Sequence, residues 1–160
     1  MESALAFVER VSTWMQTVSG IALTCLMLLT TADVVMRSFG HPIIGTYELV
    51  GLGGAVVLGF AIPITSWVRG HIFVDTFYQK FPKPVQNALD VTTRLASLVI
   101  FLLIGWNLLK LGYELYTAGE VTLTRQIPFY PVAYGLAACC FVQCLVLMCQ
   151  IVKIAGGRYE

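Results

Sequence analysis

The sequence predicts an all-α integral membrane protein with four transmembrane helices. Three observations carry that reading. Hydrophobic residues make up 58% of the chain and charged residues only 12%, against about 45–50% and about 25% in a soluble domain. The apolar residues fall in four continuous runs, each long enough for the ~20 helical residues that cross a ~30 Å hydrocarbon layer. None of the runs alternates with the period of two that a transmembrane strand requires.

The chain opens with an amphipathic segment, residues 1–12. Ala4, Val8, Val11 and Met15 recur at helical spacing, while Glu2, Glu9 and Arg10 fall elsewhere on the wheel. Such a segment lies at a membrane interface, or it is an early start of the first span. That first span covers about residues 14–36. It is too long for the h-region of a signal peptide and no A-x-A-like site follows it, so it reads as a retained helix.

The second span covers about residues 45–68. It carries small residues on one face: Gly51, Ala55 and Gly59 sit at i, i+4 and i+8, a spacing that lets another helix backbone approach closely. Residues 69–87 form a connector in which Phe73, Phe77, Tyr78 and Phe81 alternate with polar residues. Aromatic side chains of that kind prefer the headgroup level, and Pro82 with Pro84 stops a helix before the third span. The third span covers about residues 88–113 and the fourth about 129–154.

Orientation follows from the basic residues. Four spans place the N-terminus, the middle connector and the C-terminus on one side, with Arg10, Arg69, Lys80, Lys83, Arg94, Lys153 and Arg158. Only Arg37, Lys110 and Arg125 lie on the other. By the positive-inside rule both termini are cytoplasmic.

Several functions are excluded by what the chain lacks. Net charge is +1, which by itself says nothing about nucleic acid; no basic stripe is interleaved with aromatics, and that argues against such a partner. There is no phosphate-binding loop, nucleophile elbow or His-Glu-x-x-His, so no enzyme chemistry is indicated. The five cysteines, Cys25, Cys139, Cys140, Cys144 and Cys149, all fall inside apolar runs and read as small apolar helix residues. No metal site or cofactor is expected in this chain.

The ionisable residues in and near the spans are the candidate functional groups. Asp33 and Arg37 stand four apart at the end of the first span, so they share a face. Glu48 lies one turn into the second, and the short link S-F-G-H-P-I-I-G brings it within reach of Arg37. The expectation is a hairpin latched by an Arg37–Glu48 ion pair; an ion or carboxylate site is the alternative. On the opposite surface His71 and Asp75 are also four apart, a pairing suited to positioning, with a proton relay as the alternative. Lys110, Glu114, Glu120 and Arg125 read as a solvated rim.

These motifs resemble one family. D33-V-V-M-R37 closing the first span, Glu48 in the second, W67-V-R-G-H71-I-F-V-D75 leaving it, and I127-P-F-Y-P-V-A-Y-G opening the fourth are similar to the small, DctQ-like membrane subunit of TRAP transporters. The resemblance covers nearly the whole chain. It implies an inner-membrane location in a bacterium or archaeon, and a large multi-span partner subunit that carries the sodium and substrate sites. It also implies a periplasmic substrate-binding protein and sodium-coupled import of organic acids. In that setting this chain is a lipid-embedded scaffold, with Asp33, Arg37, Glu48, His71, Asp75 and the Gly51–Ala55–Gly59 face as structural or interface residues. Two other readings stay open from the residues: a membrane anchor of a respiratory complex holding haem or quinone, and a stand-alone homo-oligomeric small transporter.

Overall fold

A computed structural model of the chain describes residues 2–68 and 83–155. Four helices account for nearly all of them: α1 Glu2–Ser38, α2 Thr46–Trp67, α3 Lys83–Ala118 and α4 Tyr130–Ala155. Each contains an apolar stretch long enough to span a bilayer. The described residues contain no strand, only a bridge between Val121 and Pro128.

The helix limits depart from the sequence reading where local chemistry permits. Helix α1 is unbroken from Glu2, so residues 2–12 continue the helix of the first span. Val8 and Met15 of its apolar stripe are buried, while Glu9 and Arg10 point outward. Helix α3 begins at Lys83, so Pro84 does not stop a helix there. It occupies the first turn, where its missing N–H leaves no bond unmade. Pro131 takes the same place in α4. Pro63 lies inside α2 and is buried; membrane helices tolerate this where neighbouring helices cover the opened turn.

The bundle is centred on α2 and α4, with α1 packed on α2, α3 packed on α4, and a lesser contact between α1 and α4. Helix α4 is the spine. Ala133, Ala137, Gln143, Val146 and Gln150 are all buried, a stripe at helical spacing facing the other helices. Most large side chains elsewhere point outward, among them Trp14, Leu28, Leu58, Leu103 and Trp106. In water such a surface would cost far too much; in a bilayer it is the lipid-facing skin.

Close approach is set by individual glycines. A Cβ on Gly53 would stand 2.7 Å from Leu26 Cδ2 of α1, and one on Gly59 would run into Leu136 of α4. Gly51 meets nothing within 4 Å. The small-residue face of α2 therefore does not act as one surface. Gly53 receives α1 and Gly59 receives α4, while Ala55 lines a groove of about 320 Å³ over α4 that also holds Leu58, Phe101 and Gln143.

Two ends of the bundle can be distinguished. The loop end carries the short connections 39–45 and 119–129. The far end carries Glu2, Trp67, Lys83 and Ala155.

Candidate functional site

A polar cluster lies at each of these two ends, and both clusters are clamps. At the loop end α1 presents Asp33, one turn before its last, and Asp33 is buried. Its Oδ2 accepts a hydrogen bond from Arg37 Nη2 at 2.7 Å, the four-residue spacing of one helix face. Its Oδ1 accepts the backbone N–H of Ile43 at 2.8 Å. The loop is drawn back onto α1, and Thr46 closes it further by donating its hydroxyl to the Ile43 carbonyl at 2.9 Å. Gly40 and Gly45 turn the chain, with φ of 78° and 87°, a conformation that side chains with a Cβ rarely adopt.

Glu48 reaches away from this hairpin to the second loop. One carboxylate oxygen accepts the N–H of Thr124 at 2.7 Å and the other that of Arg125 at 3.0 Å. Arg125 answers by donating Nε to the Ile44 carbonyl at 2.9 Å. Gly45 is required here for space as well as for its backbone angle, because a Cβ would stand 2.7 Å from Arg125 Cγ. The second loop is stiffened from within. The N–H of Thr122 donates to the Ile127 carbonyl at 2.9 Å, and the N–H of Ile127 donates to the Thr122 hydroxyl at 3.0 Å. Gln126 adopts a positive φ of 54° at its tip.

The expected Arg37–Glu48 ion pair is not formed. Arg37 is held by Asp33 on its own helix, and Glu48 is turned toward backbone N–H groups contributed by residues 124 and 125. Two carboxylates 15 residues apart in sequence thus grip two different loops. All four of their oxygens are engaged by protein donors, which favours a structural role over an ion site.

The far end holds a network with no counterpart in the sequence reading. Arg94 of α3 is buried, and it donates Nε to Gln150 Oε1 of α4 at 3.2 Å and Nη1 to the Asp90 carbonyl at 3.1 Å. Its guanidinium also lies 3.7 Å from the Asp90 carboxylate. Gln150 Nε2 donates to the Ser66 carbonyl of α2, and Gln143 Nε2 donates to the Ser66 hydroxyl at 2.7 Å. Three helices are thus joined: Ser66 of α2 meets both glutamines of α4, and Gln150 carries the tie on to Arg94 of α3. Gln143 and Gln150 are seven residues apart, two helical turns, so both face the same seam. A further bond, from the Ser19 hydroxyl to the Val57 carbonyl at 2.9 Å, joins α1 to α2. In hydrocarbon such bonds act as glue between helices.

Of the residues singled out from sequence, Asp33 and Arg37 pair, Glu48 sits at the same end with other partners, and Gly59 packs closely. His71 and Asp75 lie outside the described residues. Arg125, read as part of a solvated rim, instead donates to the Ile44 carbonyl, and Thr124, Ser66, Arg94, Gln143 and Gln150 were missed as tie points. The glutamines carried a legible signal, two amides at heptad spacing inside an apolar run. Ser66 and Thr124 carried none. Among the described residues no group of three or more His, Cys, Asp or Glu is arranged to hold a metal. The cysteines are unbridged, and Cys139 and Cys144 are buried.

A family model described as the DctQ component of tripartite ATP-independent periplasmic transporters matches residues 26–156. No curated protein and no solved structure matches the chain.

Proposed function

Because the chain belongs to the DctQ component family of tripartite ATP-independent periplasmic transporters, we propose that this small permease subunit is a rigid membrane brace for the large transport subunit. The transporter imports organic acids and is driven by sodium. The loop end faces the periplasm, where the substrate-binding protein delivers its cargo, and the far end faces the cytoplasm. Substrate and sodium are handled in the large subunit, and this chain holds no cofactor.

The observation that carries the reading is the way the ionisable groups are spent. At the loop end Asp33 and Glu48 bind protein donors with every carboxylate oxygen. At the far end the buried arginine is tied to α3 and α4. A pathway for a charged solute needs groups that can exchange a protein partner for the solute at membrane depth. These groups instead fasten the two ends of one bundle. Moving a substrate site across a bilayer requires a part that stays still, and a bundle pinned at both ends fits that part.

The test is uptake of a labelled carboxylate into liposomes under a sodium gradient, with the binding protein outside. This chain and the large subunit together should transport, whereas either alone should not. Uptake by this chain without the large subunit would overturn the proposal and favour a self-sufficient transporter.

A further inference from the structure

One face of α3 is poorly suited to lipid. Asn107, Lys110 and Glu114 follow one another at helical spacing and all three are exposed. They border a shallow trough of about 520 Å³ whose other walls include Leu103, Ile104 and Leu111. Asn107 uses Nδ2 to donate to the Leu103 carbonyl at 2.8 Å. Its Oδ1 receives no donor, and Lys110 and Glu114 do not pair with each other despite the four-residue spacing that would allow it.

The depth of these groups in the membrane sets their cost. Tyr116 stacks edge-on against Tyr130 at a ring separation of 5.4 Å, and tyrosines of this kind mark the boundary of the hydrocarbon layer. Lys110 lies six residues below Tyr116, about 9 Å along the axis, and Asn107 nine residues below, about 14 Å. That puts Asn107 near the middle of a ~30 Å layer. Lys110 can extend its stem toward the headgroups; the short amide of Asn107 cannot. An amide oxygen with no donor in hydrocarbon is costly.

The outer face of α1 shows the contrast. Thr13, Thr17, Thr24 and Thr31 are also exposed, yet each donates its hydroxyl to the carbonyl four residues earlier. Their only donor is thereby satisfied within the helix, and between Trp14 and Val35 the rest of that face is apolar, with Trp14, Ile21, Leu28 and Val35; Arg10 on the same face lies at the far end, near the helix start. Helix α1 can face lipid as it stands, whereas α3 needs a protein neighbour.

We propose that the Asn107–Lys110–Glu114 stripe of α3 is the seat of one transmembrane helix of the large subunit, which supplies a hydrogen-bond donor to Asn107 Oδ1 and an acceptor to Lys110. The inference rests on the reading of this chain as one half of a heteromeric permease. The trough receives the apolar flank of that helix between Leu103 and Leu111, and Glu114 forms the rim of the contact at the boundary.

The test is photocrosslinking in membranes that contain the whole transporter, with a benzophenone side chain placed at Leu103 or Leu111 on α3, or at Trp14 or Leu28 on α1. The α3 positions should link to the large subunit and the α1 positions should not. Links to the large subunit from α1 alone would overturn the assignment of the face while leaving the heteromeric reading intact. Links from α3 to a second copy of this chain, or no link to the large subunit from any position, would overturn both. As a second measurement, Asn107→Leu with Lys110→Leu should lower the large subunit recovered with the chain by at least roughly fivefold. The isolated variant should melt no lower than the parent chain, since both changes suit lipid. Undiminished recovery would overturn the proposal.

Discussion

Replacing Arg94 with Met tests the far-end network most directly. The substitution keeps the apolar stem and removes the guanidinium. The losses include the bond to Gln150 Oε1 at 3.2 Å, the bond to the Asp90 carbonyl at 3.1 Å and the ion contact to the Asp90 carboxylate at 3.7 Å. A hydrogen bond to a charged group is worth about 1.5–3 kcal/mol, though interhelical bonds in membranes average nearer 0.6. Removing one member of a buried ion pair costs about 3–5 kcal/mol. The two side chains are 10% and 16% exposed, so water still screens the pair and the lower end applies. The expected loss is about 3 kcal/mol. Gln150→Leu should cost about 1–2 kcal/mol by itself. The double variant should cost less than the sum by about 1 kcal/mol, because the Arg94–Gln150 bond can be deleted only once. The assay is reversible unfolding of the purified chain in mixed micelles, followed by circular dichroism as a denaturing detergent is raised. An Arg94→Met variant within about 0.5 kcal/mol of the parent, or strictly additive losses, would refute the network as a structural tie.

The remaining predictions concern the loop end and the helix seams. Asp33→Ala should lower the melting temperature more than Arg37→Ala, because Asp33 alone also holds the Ile43 N–H; the reverse order in a thermal melt would contradict that assignment. Glu48→Ala should speed amide hydrogen exchange at Thr124 and Arg125 by roughly tenfold while exchange in mid-α2 stays unchanged, and equal protection in both proteins would mean that Glu48 does not hold the loop. Gly59→Ala should destabilise by about 1–3 kcal/mol through overpacking against Leu136, whereas Gly51→Ala, which meets open space, should be neutral; the same unfolding titration separates them.

Much of the fold could be read from the chain, and the reasons differ from one residue to the next. The four spans were legible because an apolar run of sufficient length has no other stable home, whatever its neighbours. The Asp33–Arg37 contact was legible because four-residue spacing on a helix fixes proximity without reference to any other element. The link between the first two spans was visible only as short; that Gly40 and Gly45 turn it, and that Gly45 must clear Arg125, was not. The Arg37–Glu48 pair failed for an instructive reason. A short link makes two charges close enough to meet, yet the rotation of α2 about its own axis decides which way Glu48 points. That rotation is set by Gly53 seating on Leu26 and Gly59 seating on Leu136. The same rotation splits the small-residue face of α2, so that Gly51 is left open while Gly59 is buried.

The far-end network shows the limit most plainly. Ser66, Arg94, Gln143 and Gln150 are separated by as many as 84 residues, and nothing local singles out one serine as the meeting point of two glutamines. The primary sequence alone determined that this protein lives in a bilayer, that it crosses four times, and that its few charges must be accounted for. Hydrophobicity is a property of a continuous run and needs no partner to express itself. Only the tertiary structure decided which polar groups satisfy one another and which, like Asn107, are left facing outward. Hydrogen bonding depends on distances of a few tenths of an ångström between helices, and those are fixed by side-chain packing rather than by order along the chain.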